Sequence, residues 1–347
     1  MTQHLLDVRG LKVSFATDEG VVRAVDDVTF FVDPGEVLCV VGESGCGKSV
    51  MGMTLMGLTR AENATFEGTA HFNGTELIHA PEATLRRIRG SGIALILQDP
   101  MAALNPVYRI GDQIAEQIRA HERVSAKAAH DRAVELMTRV GIPRPAERSH
   151  AFPHEFSGGM RQRVIIAMAL SCSPQLLIAD EPTTALDVTI QAQILADLAN
   201  LCRESDVALV LVTHDFGVVA EMADRIAVMY GGRIVEEATV QELFEDPQHP
   251  YTWGLLGCVP RLDRPRARRI PTITGSAPSL AHPPSGCHLA PRCPHRFDQC
   301  VDVPPLVPRI AGRPAHRDRC WLDVATKRRR RMVDGAIGLS PLSAGHG

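Results

Sequence analysis

The stretch "GESGCGKS", Gly42 to Ser49, has the spacing G-x-x-x-x-G-K-S. That spacing suits a phosphate, because glycines let backbone N–H groups turn inward onto phosphate oxygens and the N-terminus of a following helix adds a favourable dipole. The loop offers Gly42, Glu43, Ser44, Gly45, Cys46, Gly47, Lys48 and Ser49 as nucleotide contacts. Lys48 would reach the β- and γ-phosphates, and Ser49 would ligate Mg²⁺. A second element, "QLLIADEP", ends an apolar run in Asp180 and Glu181. Asp180 suits the metal's coordination sphere or its immediate surroundings, and Glu181 suits polarising an attacking water. In an open α/β fold, an acid at a strand's carboxyl end is expected beside such a loop, where ligands bind.

A third constellation is built from sulfur. Cys287, Cys293, Cys300 and Cys320 are spaced C-x5-C-x6-C-x19-C in a proline-rich segment. The start "MTQHLLDVRGLKVSF" has no basic stretch followed by an apolar run, and no run anywhere approaches the ~18 residues needed to span a bilayer. These observations point to the cytoplasm, where disulfides do not persist, and leave metal or plain burial for the thiols. The expectation is an iron–sulfur (4Fe-4S) cluster: four thiolates in a segment too short of apolar residues to build its own core would order it by cross-linking. Zinc is the competitor, although structural zinc usually draws two cysteines from a tight C-x2-4-C knuckle. Unligated thiols are the third reading. Cys39, Cys46, Cys172, Cys202 and Cys258 are scattered, as buried or incidental thiols would be.

The elements that must position these groups follow from patterning. The runs "EVLCVVGES", "GIALILQD", "QLLIADE" and "VALVLVTHD" alternate with helix-patterned segments such as "MRQRVIIAMAL" and "VTIQAQILADLANLCRES". Such alternation predicts an α/β domain with a mostly parallel, buried sheet. Ahead of it, "LLDVRGLKVSF", "VVRAVDDVTFFV" and "GTAHFNG" read as antiparallel strands. Residues 98–170 read as a helical insertion. After about Asp246 prolines and clustered cysteines take over, so a boundary is expected there. The expected organisation is a nucleotide-binding domain over 1–245, a small loop-rich appendage over 246–322 and a mobile tail over 323–347. Of 347 residues, 45% are hydrophobic, enough for at least one full core, and the net charge of −3 argues against a whole-chain nucleic-acid binder. The basic run Lys327 to Arg331 reads as a solvated face, with anionic lipid or RNA as the other reading.

With "EFSGGMRQRVIIAMAL" between the loop and the acids, residues 5 to about 245 resemble the ATP-binding-cassette (ABC) ATPases. The resemblance implies a cassette of parallel-sheet core, antiparallel β subdomain and helical subdomain. It implies that Ser157, Gly158 and Gly159 bind the γ-phosphate of ATP held by an opposing subunit. Phe156 and Met160 stand where the general pattern has leucine and glutamine. Phe15 matches the aromatic that stacks on adenine, where most of the superfamily has tyrosine. Gln98 matches the glutamine that senses Mg²⁺ and water while its loop meets the membrane subunit. Asp187 matches the loop facing the other subunit, and His214 matches the switch histidine contacting the γ-phosphate.

"ILQDPMAALNP", "DPQHPYTWGLL", "IPTITGSAPSL" and "SGCHLAPRCP" are similar to segments of the oligopeptide, dipeptide and nickel importer ATPases. That branch implies an ATPase motor at the cytoplasmic face of the membrane, with ATP and Mg²⁺ as cofactors. Its implied partners are a second cassette, by a paralogue or a second copy, two transmembrane permease subunits and an extracytoplasmic solute-binding protein, without nucleic acid. Peptide is the implied solute and nickel the runner-up. A soluble cassette ATPase is the other class, which lacks matching features here: no long coiled-coil insertion and no second cassette. The "GC…PRCP…C…C" frame of the same branch supports the iron–sulfur reading.

Overall fold

A computed structural model describes residues 4–99, 103–183, 187–258 and 273–333. Thr184 to Leu186 of "TTALD", the start of "IPTITGSAPSL" and the tail from residue 334 lie outside the described residues. The chain forms two compact units, each assembled from separated stretches.

The first unit comprises residues 1–6, 31–37 and 71–212. Its sheet joins the strands Ile93–Ile96, Leu176–Asp180 and Ala208–Thr213 in parallel, with Ile93 opposite Leu176 and Leu176 opposite Ala208. Every residue of the latter two strands is buried, which explains why they read as continuous apolar runs rather than alternating ones. Helices Ile110–His121, Ala126–Arg139 and Gly158–Leu170 supply the helical insertion. The first buries Ile110, Ile114 and Ile118, one stripe at helical spacing, and packs on the second. Ser125 caps the second by accepting from the Ala128 N–H at 3.2 Å.

The second unit comprises residues 7–30, 38–70 and 213–347. The strands Leu6–Thr17 and Gly20–Val32 lie in a sheet with Ala64–Phe72. Also in this unit, Val37–Val41 pairs in parallel with Arg225–Tyr230, which runs antiparallel to Arg233–Thr239 with a bulge between Ile234 and Glu236. Beyond that edge, Arg317–Asp318 pairs antiparallel with Glu236 and Glu237, and Val307–Pro308 pairs with Arg317–Asp318.

The appendage adds two short strands to the sheet whose Val37–Val41 strand leads into the phosphate loop, so it belongs to that loop's own compact unit. Arg319 adds to the join: it donates to Ile234 O at 2.9 Å and to the Asp27 carboxylate at 2.7 Å.

The basic run differs from a solvated tail. Residues Val324–Val333 form a helix in which Lys327 is fully buried against Asp318 at 2.5 Å. Arg328 and Arg331 both reach Asp246, at 2.5 and 2.9 Å. Lys327 and Arg331 are buried, where an unpaired charge is costly, and each meets a carboxylate of its own chain. Among the described residues, no helix is long and apolar enough to cross a membrane.

Candidate nucleotide site and cysteine cavity

In the second unit, the apolar strand Val37–Val41 feeds the phosphate loop, and the helix Lys48–Leu55 leaves it. Gly47, at φ 106°, is the left-handed residue that opens the helix. A Cβ there would stand 2.1 Å from Ala24 O, and one on Gly42 would stand 2.2 Å from Met229 O. Both positions therefore require glycine sterically, whatever the ligand. Lys48 is buried, and its Nζ donates to Gly42 O at 2.9 Å and Glu43 O at 3.0 Å, so the ammonium arches over the loop. Ser49 follows in the first helical turn, Ser44 and Gly45 are exposed, and the Cys46 thiol is pushed up by burial. Phe15 is half-buried in the strand Leu6–Thr17. His214 is exposed between Thr213 and Asp215, whose carboxylate caps the helix Phe216–Met222 by accepting from the Gly217 N–H at 2.8 Å.

In the first unit, Asp180 is the buried last residue of its strand, and Glu181 follows at φ 43°. That left-handed conformation is uncommon for glutamate, and the Glu181 N–H holds it by donating to Val212 O at 3.0 Å. Gln98, exposed beyond the strand Ile93–Ile96, directs Nε2 to Glu181 Oε2 at 3.3 Å. The structure thus brings together two residues 83 positions apart that were assigned to the same water.

Ser157 is the N-cap of the helix Gly158–Leu170, its Oγ accepting from the Met160 N–H at 3.3 Å. Ser157 and Gly158 are exposed, so that helix end is open to solvent. The unusual Phe156 is buried beneath the Arg148 guanidinium, 5.7 Å from its ring centroid. Asp187 is exposed immediately before the helix Val188–Glu204, its carbonyl accepting from the Gln191 N–H at 2.8 Å.

Cys287, Cys293, Cys300 and Cys320 line one small cavity with His249, Leu289, Phe297, Trp321 and Leu322. Burial pushes the Cys293 thiol up to about 11 and the Cys320 thiol up to about 12, and raises that of Cys287. Those three thiols are therefore protonated in the chain alone. Among the described residues, no group of three or more His, Cys, Asp or Glu side chains is arranged to hold a metal ion. The fold gathers the four sulfurs of the iron–sulfur expectation around one cavity.

Two residues of the loop's surroundings carried no sequence signal of a role. Tyr251 accepts the Glu43 N–H at 2.9 Å, and Arg292 holds the Glu43 carboxylate through two nitrogens at 2.9 and 3.2 Å. The segments "DPQHPYTWGLL" and "LAPRCP" that contain them stood out only as family-like stretches.

Comparison with known proteins agrees with this geometry. Residues 25–184 match the "ABC transporter" family, and residues 235–300 match the "Oligopeptide/dipeptide transporter, C-terminal region". A dipeptide transport ATP-binding protein of Bacillus subtilis is 49% identical over 321 residues, covering 92% of this chain and 95% of that protein. An oligopeptide transport ATP-binding protein of Salmonella typhimurium is 48% identical over 309 residues, covering 89% and 92%. Among solved structures, a dimeric ATP-binding cassette in a post-hydrolysis state bound to ADP and Pi superposes with a TM-score of 0.61 at 25% identity. It covers 68% of this chain and 98% of that one.

Proposed function

The chain belongs to the ABC transporter ATP-binding family, in its oligopeptide and dipeptide branch, and from that premise we propose how its residues divide the work of a peptide importer's ATPase motor. The Gly42–Ser49 loop cradles the triphosphate through inward backbone N–H groups, and Lys48 moves from its loop carbonyls onto the β- and γ-oxygens. Ser49 and Asp180 are the oxygen ligands suited to Mg²⁺, which when bound neutralises phosphate charge. Glu181 accepts a proton from the attacking water, Gln98 orients that water, and His214 donates to the γ-phosphate. Phe15 stacks on adenine.

Ser157, Gly158 and Gly159 present a helix N-terminus to the γ-phosphate on an opposing cassette, with Asp187 facing the same neighbour. Two cassettes then close around two ATP molecules, and the Gln98 loop passes the closure to a permease. The assembly comprises two ATPase chains, paralogous or identical, two transmembrane permease subunits and an extracytoplasmic receptor, with this chain peripheral at the cytoplasmic face. Peptide is the solute favoured by the family branch, over nickel.

The four cysteines bring four sulfur donors to a cavity that His249 and His295 also line, and the four thiols suit a 4Fe-4S cluster, with zinc as the alternative. When bound, the group would cross-link the appendage; hydrolysis of ATP needs no electron from it. Anaerobically purified protein containing iron and sulfide, with a visible charge-transfer band lost in Cys293→Ser, supports the cluster. Colourless protein with one equivalent of zinc and no iron overturns it.

The observation that carries the hydrolytic reading is the Gln98 to Glu181 hydrogen bond of 3.3 Å, which sets a water-orienting amide against a base at the end of a buried strand. The test is ATP turnover by the chain purified with its permease from native membrane. Turnover down about a hundredfold or more in Glu181→Gln and about tenfold in Gln98→Ala supports it; full turnover in Glu181→Gln overturns it.

A further inference from the structure

Glu43, the second residue of the phosphate loop, is held from far along the chain. Its backbone N–H donates to Tyr251 Oη at 2.9 Å, so that group is committed to the protein. Its carboxylate receives Arg292 Nη1 and Nη2 at 2.9 and 3.2 Å. Arg292 is itself fixed: Nε donates to Thr274 O at 2.9 Å, and Nη2 donates to Ile273 O at 3.0 Å. Its guanidinium lies 5.9 Å from the Tyr230 ring centroid, and the Tyr230 and Tyr251 rings are 4.5 Å apart. The Arg292 side chain is 6% exposed, which limits screening by salt.

The backbone around Arg292 is equally constrained. It ends the short helical turn Ala290–Arg292, whose Ala290 N–H donates to Cys287 O at 3.0 Å, and Cys293 follows directly. The Cys287 N–H donates to Cys300 O at 3.1 Å. A Cβ on Gly286 would meet Val301 O at 2.3 Å, so the strands of this cysteine-bearing loop pass at backbone contact.

A carboxylate in a loop that receives a polyphosphate works against its ligand unless its charge is neutralised. A bidentate arginine both cancels that charge and fixes the direction of the side chain that bears it. We propose that Arg292, from within the cysteine-rich segment, is a positioning residue of the nucleotide site: it neutralises Glu43 and pins the entry of the phosphate loop. This rests on the reading of Gly42–Ser49 as the triphosphate site.

The test measures equilibrium binding of Mg·ADP and Mg·ATP to the full chain as wild type, Arg292→Gln, Arg292→Lys and the double variant Glu43→Gln/Arg292→Gln. Arg292→Gln should weaken both nucleotides about tenfold, and Arg292→Lys, which keeps the charge but loses the fork, about threefold. Turnover should show the loss in KM, with kcat at saturating ATP within about twofold of wild type. The double variant should bind more tightly than Arg292→Gln alone, because the unneutralised carboxylate is gone; a merely structural role for Arg292 predicts no such recovery. Wild-type affinity in Arg292→Gln, or a double variant no tighter than the single, overturns the proposal. If Arg292→Gln does not fold, Arg292→Lys decides: wild-type affinity there overturns it. A wild-type chain that binds neither nucleotide would overturn the reading of the loop itself, an outcome distinct from unchanged binding in the variants.

Discussion

Gln98 Nε2 lies 3.3 Å from Glu181 Oε2, joining a residue just past one strand to a residue just past the neighbouring parallel strand. Glu181 holds its position at a φ of 43°, a conformation that sets its side chain apart from the run of the strand.

Glu181→Gln should keep nucleotide binding and lose turnover by about a hundredfold or more, since the amide preserves shape and removes the base. Gln98→Ala should lose about tenfold, because it orients water without taking its proton. Single-turnover hydrolysis measured beside nucleotide affinity separates the two. Equal loss of affinity in both variants would show that they serve binding rather than chemistry.

Gly47→Ala should abolish nucleotide binding and destabilise the chain. The new Cβ would stand 2.1 Å from Ala24 O at a φ of 106°, so the loop must distort. Lys48→Ala should also lose binding but leave the unfolding midpoint within a few degrees. Thermal unfolding with and without Mg·ADP distinguishes the steric failure from the loss of charge.

Gly158→Asp should leave Mg·ATP binding by the isolated chain intact while eliminating ATP-dependent dimerisation and cooperative turnover. The exposed end of the Gly158–Leu170 helix would then present a carboxylate to phosphate. Sedimentation of the Glu181→Gln and Glu181→Gln/Gly158→Asp proteins in ATP reads the difference: dimer in the first, monomer in the second.

Stability should fall in acid through Glu236. Burial disfavours its charge, but His316 at 2.8 Å and the N–H groups of Gln248 and His249 outweigh that cost and hold the carboxyl below its usual range. A carboxyl depressed in the folded state contributes stability fully above its ordinary value of 4.5, and that contribution is lost as pH falls through the folded value. Glu236→Gln should cost about 1–3 kcal/mol at neutral pH, because the amide nitrogen faces donors that the carboxylate oxygens accepted. It should also flatten the decline below about pH 4.5 in urea unfolding. An unchanged acid profile would assign the acid sensitivity to other groups.

The sequence by itself determined what depends on near neighbours. The phosphate loop needs a strand, glycines and a helix start within about 20 residues, all visible in "EVLCVVGESGCGKSVMGMTL". The buried parallel strands were legible because burial on both faces leaves continuous apolar runs such as "QLLIAD" and "ALVLVT". Tertiary structure alone decided the long-range pairings. Arg292 meets Glu43 across 249 positions, and no local period records that contact. Strands Val307–Pro308 and Arg317–Asp318 are two residues each, too short to show an alternation; the edge of Arg233–Thr239 gives Arg317–Asp318 its partner, and that strand in turn pairs with Val307–Pro308. The run Lys327 to Arg331 looks solvated in sequence because it is basic; folding buries Lys327 because Asp318 is there to receive it. The cysteine spacing identified the four sulfurs, but that they share one cavity with Leu289, Phe297 and Trp321 is a matter of tertiary packing, which spacing does not encode.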